Sequence, residues 1–122
     1  MERDEIIIMQ AGKKLNQLVW WKLFDMEPTP PNNDMNLLPD YSGDMNVAWS
    51  VVEKMKSLGY EAWLMNEQKY KEYPSQTYAC KLYGNGESVF VLGKTMPHAI
   101  CRAALLARGL TKRVPDAGDS VS

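Results

Sequence analysis

The clearest hydrophobic spacing in the chain lies at Met45, Ala48, Trp49, Val52 and Met55, apolar positions three and four residues apart. That spacing draws one apolar stripe along an α-helix and places Trp49 in the core. Ser42 stands where an N-cap is wanted, with Asp44 in the positive first turn, and Gly59 supplies a left-handed residue to end the helix. A second helix opens at Thr95 or Met96, with Pro97 in a first turn where its missing N–H costs nothing. Ile100, Ala103, Ala104 and Ala107 give it a small-residue face able to lie close on a sheet. Cys101, Leu105 and Leu106 widen its apolar arc, so this helix meets two surfaces, the second being another layer or another subunit.

Between these helices the period changes to two. Tyr60–Asn66 sets Ala62 and Leu64 against Trp63 and Met65, and Thr77–Tyr83 sets Tyr78, Cys80 and Leu82 against Lys81 and Tyr83. Glu87–Leu92 is the third strand. Gly84-Asn85-Gly86 joins the last two as a tight hairpin, while Glu67–Gln76, polar with Pro74, is a looser link. Trp49, Val52, Met55, Leu64, Cys80, Leu82, Phe90, Ile100 and Ala104 are the expected core.

Ahead of the central helix, Arg3–Gln10 reads as a short helix carrying Ile6, Ile7 and Ile8, with a break near Ala11–Gly12. A second helix covers Lys13 to about Phe24, with Leu15, Leu18, Val19 and the stem of Lys22 on one side. Trp20 and Trp21 are adjacent, about 100° apart on a helix, and cannot both face one core. Glu27–Asp40 is a proline-rich loop pinned by Leu37 and Leu38. From Thr111 the chain turns polar, with Pro115 and Gly118. The pattern thus predicts one domain over residues 1–110 and a flexible tail over 111–122.

The opening RDEIIIMQAGKKLNQLV, the Tyr41-Ser42 start leading to Ala48-Trp49 and Val52-Glu53-Lys54, and Pro97 followed by Ala99-Ile100-Cys101-Arg102-Ala103-Ala104-Leu105 resemble the phage ABA-sandwich domain family. The likeness runs over nearly the whole chain and implies a bacteriophage origin. It also implies an α+β fold of order α-α-α-β-β-β-α, a three-stranded antiparallel sheet packed with N-terminal, central and C-terminal helices. Trp20-Trp21, Lys22–Phe24 and the proline-rich loop depart from the family, where loops and ends vary with partner. The matching motifs are caps and core positions, so the resemblance carries no catalytic residue across.

Composition narrows the chemistry. The 122 residues are 45% hydrophobic and 24% charged, enough for a core without disulfides or metals. A net charge of −1, from 15 acidic and 14 basic residues, disfavours direct nucleic-acid binding and also argues against a carboxylate-rich mimic of DNA. No apolar run approaches the ~20 residues of a membrane span. MERDEIIIM does not read as a secretion signal, and a location in the cytoplasm of the infected host is expected. Cys80 and Cys101 lack the spacing of a metal site and read as small buried hydrophobes. No hydrolase, metalloprotease or phosphate-loop motif occurs, and with one histidine the chain is expected to be neither an enzyme nor a cofactor carrier.

Two candidate sites remain. Lys94 and Thr95 precede the last helix, and His98 and Arg102 lie four residues apart on it, so this helix start offers amides and cations to a phosphate. An aromatic side chain such as Tyr83 would stack the base of a nucleotide-type ligand. The plainer reading pairs Arg102 with a carboxylate and leaves His98 at the surface. Trp20, Trp21 and Leu105 are candidates for a partner or homo-oligomer interface.

Three functions fit. The first is a small phage counter-defence protein that sequesters a host nucleotide immune signal, cyclic or derived from ADP-ribose, without catalysis. The second is an inhibitor that binds a host defence protein directly, as an anti-CRISPR does. The third is a structural or housekeeping phage protein.

Overall fold

The computed structural model describes residues 9–26, 34–66 and 78–108. Helix α1, Lys13–Leu18, runs on into a π-helical turn over Val19–Leu23. A 3-10 turn, Met35–Leu37, precedes α2, Met45–Ser57. Strands β1 (Glu61–Asn66), β2 (Tyr78–Gly84) and β3 (Glu87–Gly93) form an antiparallel sheet in that order, and α3, Met96–Ala107, closes the fold. The order agrees with the α+β reading. The expected Arg3–Gln10 helix, the Glu67–Gln76 link, the loop before Asp34 and the tail lie outside the described residues, apart from Met9 and Gln10, which are not helical.

The β2–β3 connection sets the register. Asn85 (φ 52°) and Gly86 (φ 82°) both occupy the left-handed region, as a two-residue type I′ turn requires. Counting back from that turn pairs Leu82 with Val89, Lys81 with Phe90 and Cys80 with Val91. Cys80, Leu82, Val89 and Val91 therefore share the buried face. Phe90 falls on Lys81's face and is 46% exposed, so the core assignment of Phe90 is corrected: a one-residue step in a strand always changes face. Leu64, on the core side of β1, is half-buried.

Helix α3 lies across β2 and β3, touches α2 on one flank and receives the N-terminal π turn on another. Every residue from Pro97 to Ala107 is buried as a result. The second surface foreseen for this helix is a layer of the same chain, and Leu105 is core rather than an intersubunit contact. Gly93 allows the close approach of β3, since a Cβ there would lie 2.6 Å from the backbone nitrogen of Ala99.

Two expectations for α2 are revised. Its N-cap is Asp44, whose side chain accepts from the Asn46 amide, not Ser42. Its buried stripe is Ala48, Val51, Val52 and Met55. Trp49 is turned about 100° from Ala48 and is 48% exposed, because Val51 rather than Trp49 completes the stripe.

Ser42 has a different task. Its amide and its hydroxyl donate to Asn16 Oδ1 at 2.8 and 2.6 Å, its Oγ accepts from the Gly12 amide, and Asn16 Nδ2 donates to Asp40. This buried knot fixes the entry to α2 against α1. Leu38 is buried beside it, whereas Leu37 is exposed, so only one of the two leucines pins the loop. Phe24 stacks on Tyr41 at 5.3 Å on the same side.

Removing the amide of Asn16 strands the buried Ser42 amide and leaves the Ser42 hydroxyl only the Gly12 carbonyl, at 3.4 Å. Asn16→Ala is expected to lower the unfolding free energy by about 2–3 kcal/mol in urea titrations, with little change in the slope.

Candidate functional site

The cluster at the start of α3 is occupied by the fold itself. Thr95 caps the helix, its hydroxyl accepting from the His98 amide. His98 is 1% exposed; its Nδ1 accepts from the Lys94 amide at 3.2 Å, so the ring proton sits on Nε2, which donates to the Met9 carbonyl at 2.7 Å. Arg102, 3% exposed, donates from Nε to the same Met9 carbonyl at 3.0 Å and from Nη1 to the Leu92 carbonyl at 2.8 Å. Burial lowers the pKa of both groups, and the neighbouring Arg102 and Lys94 charges lower that of His98 further, against the Met9 hydrogen bond. His98 is a neutral internal ligand of the N-terminal segment, not a surface phosphate donor.

Tyr83 is not beside that cluster. It pairs with Ser88 across the ladder, six residues before Lys94 and so about 20 Å along the strand direction. It also lies on the sheet face away from α3. Lys94 and Thr95 are exposed, yet the structure does not bring the five residues into one site.

What the structure does assemble is on the open face of the sheet. Cross-strand pairing lines up Trp63, Lys81 and Phe90 in one row and Glu61, Tyr83 and Ser88 in the next. Trp63 is 53% exposed and meets Tyr83 edge to face at 6.0 Å. The Lys81 ammonium stands 5.7 Å from the Trp63 centroid and 5.8 Å from that of Tyr83, within cation–π range of both. The Tyr83 hydroxyl donates to Glu61 at 2.7 Å, and the negative carboxylate raises the phenol's pKa. Trp63, Lys81 and Tyr83, with Gly84, Glu87 and Ser88, line an open hollow of about 480 Å³. The alternation of β1 and β2 already placed Trp63, Lys81 and Tyr83 on one face; the lysine among aromatics was the overlooked sign that this face meets solvent.

The remaining candidates divide. Trp21 is partly exposed beneath the Lys22 ammonium at 3.8 Å, whereas Trp20 is half-buried with an Nε1 that has no hydrogen-bond partner. Burial pushes the Cys80 thiol up to about 12 and raises that of Cys101 as well, which keeps both protonated. Among the described residues no group of His, Cys, Asp and Glu could hold a metal, and no helix is long and apolar enough to cross a membrane.

Comparison with known proteins gives a family. The model of the phage ABA sandwich domain matches residues 15–105. The 2.0 Å crystal structure of a phage protein from Bacillus cereus ATCC 14579 is similar, with 26% identity over 80% of this chain and 90% of that one, at a TM-score of 0.62. No curated protein matches this chain.

A histidine held neutral inside the fold makes stability depend on acid. Because the folded pKa is below the unfolded value near 6.5, the unfolded chain binds the proton more readily, and stability falls as pH drops below about 6.5. Urea unfolding at pH 7.5 and 5.0 should show this loss, and His98→Gln, although less stable at pH 7.5, should show a smaller difference between the two.

Proposed function

This chain belongs to the phage ABA sandwich domain family, and we propose that it is a small phage counter-defence protein that binds and sequesters a host nucleotide immune signal in the infected cell, without catalysis. The observation that supports this reading is the Trp63–Lys81–Tyr83 platform, two exposed rings sharing one ammonium on a rigid sheet. Rings on a sheet surface stack bases irrespective of their identity, at about 1–3 kcal/mol each. Lys81 supplies a local cation for a phosphate although the protein as a whole is slightly acidic. The Glu61 carboxylate, held by the Tyr83 hydroxyl at the border of the platform, suits ribose hydroxyls. The ligand is bound on this face, and Lys94, His98 and Arg102 hold the scaffold behind it.

The reading in which the chain binds a host defence protein draws on Trp49 of α2 and Phe90 of β3, two further large rings left exposed. Large exposed rings anchor protein interfaces as readily as bases.

Isothermal titration against a panel of cyclic and ADP-ribose-derived nucleotides separates the two. Binding is expected with one class of the panel, weakened about 5- to 150-fold by Trp63→Ala or Tyr83→Ala, as stacking energies convert to affinity. Lys81→Ala should weaken binding and reduce its salt dependence. Absence of binding across the panel rejects the nucleotide reading and favours the protein inhibitor.

A further inference from the structure

We infer that the free edge of β1 pairs antiparallel with β1 of a second copy of this chain about a two-fold axis near Trp63, making one six-stranded sheet. The backbone geometry leads to it. In the two-residue hairpin, Gly84 and Glu87 flank the turn as a hydrogen-bonded pair, so Leu82 with Val89 and Cys80 with Val91 are hydrogen-bonded too. The backbone groups of Ala79, Lys81 and Tyr83 therefore point toward β1, onto Met65, Trp63 and Glu61. By the same alternation, the amides and carbonyls of Ala62 and Leu64 point outward, along the sheet's edge.

An exposed edge is normally guarded by lysine, proline or a bulge. The middle of β1 reads Ala-Trp-Leu-Met, with no charge and no proline. Its register with β2 is unbroken, one residue for one, so no bulge twists it away. The other edge is treated differently. Leu92 is an outward-pointing position of β3, and its carbonyl is taken by Arg102. Among the described residues, one edge is thus closed at its end and the other has no strand paired to it.

That asymmetry identifies the occupant. A two-fold contact uses the same edge of both copies and so removes the free edge from each, and assembly stops at a dimer. Under antiparallel pairing near Trp63 the facing residues are apolar or neutral, with Glu61 opposite no carboxylate of the described strand. Beside the edge, Trp49, Val52, Lys56 and Tyr60 line a groove of about 610 Å³, with Trp49 and Trp63 exposed at its sides. A strand from a second copy would fill this groove beside Trp49 and bring the Trp63 rings of the two copies next to each other on the open face.

Sedimentation velocity over a concentration series, with amide hydrogen exchange on the same samples, tests the pairing. The intact chain is expected at twice its monomer mass, with the Leu64 amide protected and released on dilution to monomer. Ala62→Pro removes an outward donor without touching a β1–β2 bond, a proline position that edge strands tolerate. It should give a folded monomer, by circular dichroism, whose Leu64 amide exchanges quickly. Should that variant fail to fold, Trp63→Arg, a substitution on the open face, should disrupt the dimer by setting two cations near the axis. A concentration-independent monomer, or a dimer in which the Leu64 amide exchanges freely or both variants leave the mass unchanged, overturns the inference.

Discussion

Helix α3 is enclosed on every side, and that enclosure governs the rest of the structure. A helix without a solvent face must carry small or apolar side chains, and any polar group on it must find a partner within the protein. Six of the twelve residues are Ala99, Ile100, Cys101, Ala103, Ala104 and Ala107, which let β2, β3 and the neighbouring helices come close. His98 and Arg102 are the polar exceptions, and both turn to the carbonyl of Met9. The N-terminal segment is thereby fastened to the middle of the fold by one oxygen accepting two donors. Arg102 adds the Leu92 carbonyl at the edge of β3, so the same cation links helix, sheet edge and N-terminal segment.

With α2 and α3 on one face of the sheet, and the N-terminal turn stacked behind α3, the described elements leave the other face open. A three-stranded sheet bearing polar residues alone on that face would need no explanation. This one carries Trp63, Tyr83 and Phe90 around a single lysine. Cation–π contacts hold the Lys81 ammonium near the Trp63 and Tyr83 rings. The fold is thus divided into an interior that uses its charged groups structurally and a surface that holds its aromatic groups available.

The division explains which parts of the sequence were legible. Helices α2 and α3 and the three strands follow from apolar spacing, the Asn85-Gly86 turn and the proline and glycine at helix ends, all local signals. Trp49 and Phe90 were misplaced because each sits one position from the core set, and only the register or the exact centre of a helical stripe decides such a case. His98 and Arg102 looked like a site because a histidine and an arginine four residues apart beside a helix start are what anion sites contain. Nothing local reveals that the carbonyls of Met9 and Leu92 arrive there first, since both come from distant or sequentially separate segments. Ser42 was misread for the same reason: a good capping residue was claimed by Asn16, 26 positions away. Long-range polar partners are what a single sequence conceals.

Magnitudes connect the open face with the free edge. Two stacking contacts at about 1–3 kcal/mol each and one exposed ion pair at about 0–1 give roughly 2–7 kcal/mol in total. Association alone costs at least about 4 kcal/mol in lost translational and rotational freedom. One open platform would therefore hold a nucleotide weakly, whereas the proposed sequestration of a scarce signal demands tight binding. Sheets paired through β1 would place two such platforms side by side on a continuous surface, because Trp63 stands on the strand next to the axis. A ligand with two stacking groups could then engage both, the second contact forming at high effective concentration. In this arrangement the edge that lacks a guard and the face that lacks a cover are two parts of one binding surface.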